Sequence, residues 1–244
     1  MTVSEGRSII IVGVGSSMSR SLAIWLATLG WHIGLISRSE NNLFAIAEEV
    51  RRSGASGSKV VHRAADAGDA PALKSALDWC LQQLGGKLDV LSYNAARVSE
   101  STVTTLQSDT LELDFKISAV GTLVTGQWFR DNAQLDRVPK GELPMFLVTG
   151  GLLDKTPNPE MASLSAVKSA SQTITRLFAQ ALPQEYQILV GMPTVTGRII
   201  DPDTGEYFEK FQPDKIIQTL FKPFFEDREN MQGGIQSWKV ERFL

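Results

Sequence analysis

The stretch SIIIVGVGSSMSR, residues 8–20, joins an uncharged β-branched run to a turn that carries Gly13 and Gly15. Isoleucine and valine favour strands, and a run without charge is typical of a strand that is covered on both faces. From Ser19 onward the apolar residues recur at helical spacing. The stretch therefore predicts a buried strand, a tight glycine turn and a helix.

The same alternation of short apolar runs and helical patterns continues along the whole chain. Strands are predicted at 8–14, 31–37, 59–65, 88–95, 143–150, 188–192 and 235–240. Helices are predicted between them at 19–29, 42–54, 70–84, 111–132, 161–182 and 214–225. Right-handed crossovers then give an α/β fold with a doubly wound parallel sheet, in a single domain covering 1–244. In such a sheet, ligands bind at the carboxyl ends of the strands.

The composition is that of an ordinary globular domain. A chain of 244 residues with 43% apolar residues can bury a sizeable core, and the net charge of -3 without a basic block argues against a nucleic-acid partner. The first apolar run is too short for a signal peptide or a membrane span, so we expect a cytoplasmic protein without a membrane partner. A single cysteine, Cys80, and two histidines, His32 and His62, leave little material for a disulfide or a metal site.

The glycine turn is a candidate phosphate site. A turn between a strand and a helix presents backbone N–H groups at the positive end of the helix, where a phosphate binds well. Ser17 and Ser19 stand where further glycines would give closer approach, although their hydroxyl groups can donate to phosphate. A plain tight turn is the alternative.

Two further strand ends carry candidate cofactor residues. Ser37 and Arg38 follow the second strand, where an NAD-binding fold places an acid for the ribose hydroxyl. A guanidinium there suits a 2′-phosphate, so the sequence favours NADP(H) over NAD(H), unless Arg38 is only a solvated residue at a helix start. Asp66, after the third strand, is a candidate acceptor for an adenine amino group or an ordinary helix cap.

The end of the fourth strand makes the pattern specific. YNAAR, Tyr93 to Arg97, resembles the Asn-Asn-Ala-Gly motif of the short-chain dehydrogenase/reductase family, and the other pieces follow in the family's order over nearly the whole chain. The resemblance implies a Rossmann-type domain with seven parallel strands and a nicotinamide cofactor held in part by Asn94 and Pro193. It also implies a homo-oligomer, a dimer or tetramer, built on the helices at 111–132 and 161–182.

The family's catalytic residues are only partly present. In the family, a tyrosine four residues before a lysine passes a proton to the substrate, and the lysine binds the nicotinamide ribose. Lys168 keeps the lysine, but Leu164 occupies the tyrosine position and Gly151 the position of the serine that polarises the substrate oxygen. Ser118 replaces the asparagine of the proton relay. The resemblance therefore implies the family's fold and pocket without its usual alcohol chemistry.

The segment TGGLLDKTPNPEMASLSAVKSA, residues 149–170, resembles an offshoot of the family that lacks the tyrosine and is common among fungal biosynthetic proteins. Some of these relatives resemble bifunctional reductases that also guide a cycloaddition. An imine, an iminium ion or an activated alkene can be reduced without the tyrosine, because the missing acid is needed for a developing alkoxide.

Other side chains near the strand ends are candidates for chemistry. Asp154 could act as a general acid or stabilise an iminium ion, and Ser165 shares a helix face with Lys168 at a spacing of three. Arg97 could contact a phosphate or an anionic substrate. Tyr207 lies in a predicted substrate loop at about 194–212. For each of these residues, an ordinary structural or solvated role is the alternative.

Three functions remain open at this point. The first is an atypical NADP(H)-dependent oxidoreductase that acts on a hydrophobic biosynthetic intermediate, an imine, iminium ion or enone. The second is a non-redox cyclase or isomerase, including one that guides a cycloaddition, which uses the ancestral cofactor cleft. The third is a non-catalytic NADP(H)-binding protein. The partner in the first two is a small-molecule substrate.

Overall fold

The computed structural model describes residues 6–231 and 234–244. It contains eight strand segments, β1 (Ser8–Val12), β2 (His32–Ser37), β3 (Val60–Ala64), β4 (Val90–Tyr93), β5 (Met145–Val148), β6 (Gly150–Gly151), β7 (Leu189–Val195) and β8 (Glu241–Phe243). The α-helices are α1 (Met18–Thr28), α2 (Glu40–Ser53), α3 (Ala70–Leu84), α4 (Ser108–Phe115), α5 (Gly121–Asn132), α6 (Ala162–Tyr186), α7 (Pro213–Ile216) and α8 (Lys222–Glu229).

All strands of the sheet pair in parallel, in the order β3, β2, β1, β4, β5, β7, with β8 on the far side of β7. The segments β5 and β6 pair with β7 in one register, Met145 opposite Leu189 and Gly150 opposite Thr194. They are therefore one strand that is interrupted at Thr149. The doubly wound α/β sheet predicted from the sequence is confirmed, and its seven strands agree with the expected number.

The first strand shows why the apolar runs carry no charge. Ile9 and Ile11 point into one core with α1, α2 and the segment around α7 and α8, and Ile10 and Val12 point into a second core with α3, α5 and α6. Because successive side chains of a strand face opposite sides of the sheet, a strand between two helical layers needs apolar residues at every position.

The two long helices extend beyond their predicted limits. The first joins α4 to α5 through a π-helical segment, Lys116–Val120, and runs without a break from Ser108 to Asn132. The Tyr93 hydroxyl group donates to the carbonyl oxygen of Ile117 in this segment, and Gly121 leaves the room for the ring because an added Cβ there would collide with the phenol oxygen. The second, α6, is 25 residues long and includes Pro183.

The last strand was predicted at the wrong place. Residues 235–237 form a 3₁₀ turn, and the strand lies at Glu241–Phe243, where it pairs with Met192 to Thr194. The Trp238 indole donates to the Val190 carbonyl oxygen at 2.7 Å and so fixes the preceding segment outside the sheet. The sequence of β8 did not indicate a strand because two of its residues are charged, which an edge strand tolerates.

The histidines and the cysteine lie where the sequence predicted them. His32 and His62 lie on β2 and β3 as predicted, and Cys80 is buried in the core, where burial raises the pKa of its thiol to about 12. Within residues 6–231 and 234–244, no helix has the length and apolar character needed to cross a bilayer, and no cluster of three metal-ligating side chains occurs.

Candidate active site

A cleft of about 250 Å³ opens where β1, β2 and β4 end and where the chain leaves β3. The strands bring together seven residues that the sequence placed at separate strand ends: Gly13, Gly15, Ser37, Arg38, Asp66, Asn94 and Arg97. They meet because the carboxyl ends of parallel strands lie on one edge of the sheet. The topology thus collects six of the predicted cofactor residues and the predicted substrate residue Arg97 in one place.

The two glycines of the first turn have different environments. Gly13 has a φ of +84°, and a Cβ built on it would lie 2.4 Å from the backbone nitrogen of Ala95. Only glycine fits there without strain, because L-residues disfavour this backbone region and the next strand end is in contact. Gly15 has open space around it, so its backbone is accessible from the cleft.

The serines of the turn do not act as simple substitutes for glycine. Ser19 is buried, and its hydroxyl group donates to the Gly13 carbonyl oxygen at 3.1 Å and accepts from Asn94 Nδ2 at 3.2 Å. Ser17 precedes the first residue of α1, and its buried hydroxyl oxygen has no hydrogen-bond partner in the described structure. Ser19 therefore braces the turn, and phosphate binding by either hydroxyl group stays a prediction.

Arg38 and Asp66 lie on the side of the cleft that belongs to β2 and β3. Arg38 is exposed, and no carboxylate of the described residues pairs with its guanidinium group. Asp66 is half-buried, and its Oδ1 accepts from the Gly68 backbone N–H at 2.8 Å. One oxygen of Asp66 thus stabilises a local turn, which leaves its other oxygen to meet a ligand.

A chain of hydrogen bonds connects the glycine turn to Lys168. From Ser19 it continues through Asn94, whose Oδ1 accepts from the Thr149 hydroxyl group, and ends where Lys168 Nζ donates to the Thr149 carbonyl oxygen at 2.9 Å. Thr149 lies at the interruption between β5 and β6, so its polar groups are free to make these bonds. The floor of the site is therefore fixed across β1, β4 and β5.

Lys168 is a cation without a counter-ion. No carboxylate of the described residues forms an ion pair with it, and burial lowers the pKa of its ammonium group to about 8. Leu164, one turn earlier on α6, is buried but belongs to neither of the two large apolar cores. The helix thus presents an ammonium group at Lys168 and, one turn earlier, an apolar side chain at Leu164.

The loop after β6 holds its acid in an ion pair. Asp154 Oδ2 accepts from the Arg176 guanidinium at 2.8 Å, and Arg176 also pairs with Glu241 of β8. The other oxygen of Asp154 is buried without a hydrogen-bond partner. The carbonyl oxygen of Gly151 accepts from the Gln172 side chain at 2.8 Å. A role for Asp154 as an acid stays a prediction.

Nine predicted site residues do not line the cleft itself: Ser17, Ser19, Gly151, Asp154, Leu164, Ser165, Lys168, Pro193 and Tyr207. The Ser165 hydroxyl group accepts from the Asn158 backbone N–H at 3.1 Å and so holds the loop before α6. Tyr207 forms an antiparallel bridge with Ile200, which folds the predicted substrate loop back on itself. Pro193 is buried within β7 opposite Arg242. Their predicted contacts with ligands remain untested.

Two buried residues near Arg97, Asp114 and Ser163, were not predicted from the sequence as functional residues. Asp114 is 1% exposed and accepts from the Ser163 hydroxyl group at 2.6 Å. Its other oxygen lies 3.2 Å from Arg97 NH1. A signal was present, because Asp114 lies on the buried stripe of its helix, where a charge requires a partner.

The family model for short chain dehydrogenases matches residues 7–199. The chain belongs to the short chain dehydrogenase family. The match includes the glycine turn, the Asn94 strand end and the Lys168 helix, which are the parts of this short chain dehydrogenase that build the cleft and its floor. No curated protein matches the sequence.

Solved structures similar to this short chain dehydrogenase share its fold over nearly the full length. An alcohol dehydrogenase from the archaeon Thermococcus sibiricus, complexed with 5-hydroxy-NADP, has 20% identity and a TM-score of 0.75 over 98% of this chain and 95% of its own. A short-chain dehydrogenase from Rhodopseudomonas palustris has 14% identity and a TM-score of 0.77 over 99% of both chains. An NADH-dependent reductase, A1-R′, complexed with NAD, has 16% identity and a TM-score of 0.74 over 90% of this chain and 88% of its own.

Proposed function

We propose that this protein is an NADP(H)-dependent reductase that acts on a hydrophobic imine, iminium ion or activated alkene. The observation that carries the proposal is the position of Arg38, which lies on the wall of the cleft beside the glycine turn and forms no ion pair with another described residue. Arginine at the end of the second strand suits a 2′-phosphate, whereas an acid there suits the free ribose hydroxyl of NAD.

The described residues fit a nicotinamide dinucleotide. Gly15 has open space where a Cβ would lie, so a pyrophosphate can approach the backbone at the start of α1. Lys168 provides an ammonium group that forms no ion pair with a carboxylate in residues 6–231 or 234–244, which suits contact with ribose hydroxyl oxygens at the other end of the cofactor. When bound, the reduced cofactor supplies a hydride, and these residues bind and orient it.

The substrate classes follow from the groups that are missing. Leu164 and Gly151 occupy the positions at which the family resemblance places a proton donor and a polarising hydroxyl group. A simple ketone needs a proton on its developing alkoxide, whereas an iminium ion is already cationic and an activated alkene passes its charge to a conjugated group. The proposed substrates therefore need no phenol at this position.

Two loops that follow strands at the carboxyl edge of the sheet carry exposed apolar side chains. Val98 and Val103, on the loop after β4, are 76% and 64% exposed, and Ile200 and Phe208 are also exposed on the loop after β7. An ion pair of 3.5 Å between Arg198 and Glu100 joins the two loops. Because ligands bind at this edge of such a sheet, exposed apolar side chains on these loops support a hydrophobic substrate.

A binding titration tests the cofactor proposal. NADPH and NADH are titrated into the wild type, Arg38→Ala, Lys168→Ala and the surface control Arg130→Ala, which removes an exposed guanidinium paired with Asp131. We expect the wild type to bind NADPH more tightly than NADH, Arg38→Ala to lose that preference, and Lys168→Ala to weaken both. Absence of NADPH binding by the wild type would refute the proposal.

A non-redox cyclase or isomerase is the second candidate, because both Leu164 and Gly151 lack a proton to give. Such an enzyme would use the cleft to hold one conformation of the substrate. The two functions differ in the fate of the hydride, so NADPH deuterated at the reactive position separates them. Deuterium in the product supports the reductase, and product formed without NADPH supports the cyclase.

A further inference from the structure

We propose that Arg97, positioned by Asp114 and Ser163, binds the carbonyl oxygen of the substrate, and that the substrate is therefore an α,β-unsaturated carbonyl compound. This inference rests on the proposed reductase function and selects one of its substrate classes. It adds two positioning residues, Asp114 and Ser163, that contact neither substrate nor cofactor themselves.

Arg97 is held by the carboxylate of Asp114, which is buried away from solvent. Asp114 is 1% exposed, and removing a carboxylate from water is unfavourable by several kcal/mol unless a cation and hydrogen-bond donors replace the water. Ser163 donates to Oδ2, and Arg97 faces Oδ1. Among the described residues, Arg97 is the only cation within ion-pair distance of Asp114, so the buried charge holds the guanidinium at this end of the cleft.

The ion pair with Asp114 leaves N–H donors of the Arg97 guanidinium group available for a ligand. The contact of 3.2 Å between Arg97 NH1 and Asp114 is an ion pair without hydrogen-bond alignment, and Arg97 has no hydrogen-bond acceptor among the described residues. Its side chain is partly exposed and lines the cleft next to Asn94. A guanidinium group has five N–H donors in a planar fork, so at least one face of it can meet a ligand oxygen.

Asp114 also connects Arg97 to the first turn of α6, where Leu164 occupies the position of the family's tyrosine. Ser163 immediately precedes Leu164 in the first turn of α6, and its backbone N–H donates to the Ser101 hydroxyl oxygen at 3.0 Å. The segment after β4 that begins with Arg97 is thereby fixed against the start of α6. A cationic donor is thus held near the helix position where the family resemblance places its phenol.

A permanent cation at this position suits an enone. The β-carbon of the enone accepts a hydride with its electron pair from the reduced nicotinamide, which is oxidised, and the alkene electrons move to the oxygen as an enolate. Arg97 donates hydrogen bonds to that oxygen and keeps its proton, because arginine is not deprotonated at neutral pH. The α-carbon would then take a proton from water, which leaves as hydroxide, and the products would be the saturated carbonyl compound and NADP⁺.

The other substrate classes fit Arg97 less well. A guanidinium group repels the positive charge of an iminium ion, and like charges at short range are unfavourable. The alkoxide of a simple ketone requires a proton that arginine does not release. An enolate is less basic than an alkoxide and is protonated at carbon in a later step, so hydrogen bonding alone is sufficient.

Binding of 4-nitrophenolate, a stable mimic of an enolate, tests this inference without a known substrate. The probe and neutral nitrobenzene are titrated in the presence of saturating NADP⁺, and the NADP⁺ affinity of each protein is measured first. The variants are Arg97→Gln, Asp114→Asn and Ser163→Ala, with Arg130→Gln as the matched control, since Arg130 pairs with Asp131 on the surface. Thermal unfolding checks that each variant is folded.

We expect the wild type to prefer 4-nitrophenolate to nitrobenzene, and Arg97→Gln to weaken phenolate binding by about tenfold or more, as expected for a charged hydrogen bond. Ser163→Ala and Asp114→Asn should reduce the preference while leaving NADP⁺ affinity unchanged, and if Asp114→Asn is unfolded, Ser163→Ala decides. Equal phenolate binding by Arg97→Gln, or no preference in the wild type, overturns the inference alone. Absence of NADP⁺ binding overturns the proposed function and this inference with it.

Discussion

Gly13 and Gly15 stand two residues apart in one turn and lead to opposite predictions. Gly13→Ala should lower the free energy of unfolding by about 2 kcal/mol or more, because φ is +84° and the new methyl group would overlap Ala95. Gly15→Ala should leave stability nearly unchanged and weaken NADPH binding, because its methyl group would occupy open space on the cleft side. Urea unfolding and an NADPH titration on both variants measure the two effects.

The outcome for the pair separates a structural glycine from a ligand-binding one. Equal stability of Gly13→Ala and the wild type would contradict the backbone argument. Unchanged NADPH affinity in Gly15→Ala would show that the cofactor does not approach the turn at this residue.

Lys168 gives a pH dependence of stability with a defined sign. Burial lowers the pKa of its ammonium group from 10.5 to about 8. Between about pH 8 and pH 10.5, Lys168 is protonated in the unfolded chain but not in the folded protein, so the free energy of unfolding rises with pH. Below about pH 8, the cost of burying the ammonium group is fully present. Relative to Lys168→Met, the cofactor-free wild type should therefore gain stability between about pH 8 and pH 10.5.

Urea unfolding of the two proteins across this pH range measures the effect. The exposed Lys74, on α3, supplies the control variant Lys74→Met, whose stability difference from the wild type should stay flat with pH. A flat difference for Lys168→Met as well would mean that the ammonium group is hydrated in the folded protein.

At the scale of elements, the exposed faces of α5 and α6 predict self-association. Leu123 on α5 is 39% exposed and Leu177 on α6 is 59% exposed, and exposed leucines on long helices favour burial against a second copy. The double variant Leu123→Arg, Leu177→Arg should be monomeric in sedimentation velocity, while the wild type forms a dimer or tetramer. Leu135→Arg, at a leucine that is 41% exposed outside both helices, should assemble like the wild type.

A monomeric wild type at micromolar concentration would contradict this prediction. Assembly of the double variant would instead show that other surfaces hold the copies together.

The elements also show the limits of local patterns. Helix α3 begins and ends at the predicted residues, because Asp69 caps its start and Gly85 ends it in the left-handed conformation. The strand β8 was misplaced, because its pairing depends on β7 and on ion pairs of Glu241 and Arg242 with distant residues. The interruption of β5 at Thr149 has no local signal, because the side chains that bond to Thr149 there, Asn94 and Lys168, are distant in sequence.

At the scale of the whole molecule, the candidate site combines residues that the sequence names and residues that it does not. The strand ends at Gly13, Arg38 and Asn94 were predictable, because apolar runs mark strands and parallel strands end on one edge of the sheet. Asp114 and Ser163 were not predicted as a pair, because they are 49 residues apart and neither belongs to a ligand motif. Their importance follows from packing, which places Asp114 between Arg97 and Ser163.

The sequence by itself determined the alternation of strands and helices and the absence of a phenol four residues before Lys168. These properties are local, since they depend on side-chain periodicity, backbone conformation and residue identity. The tertiary structure alone decided that Arg176 pairs with Asp154, that Ser19 braces the glycine turn and that Asp114 holds Arg97 at the cleft. Those contacts join distant segments, and a buried charge or hydroxyl group finds its partner only after the helices pack on the sheet.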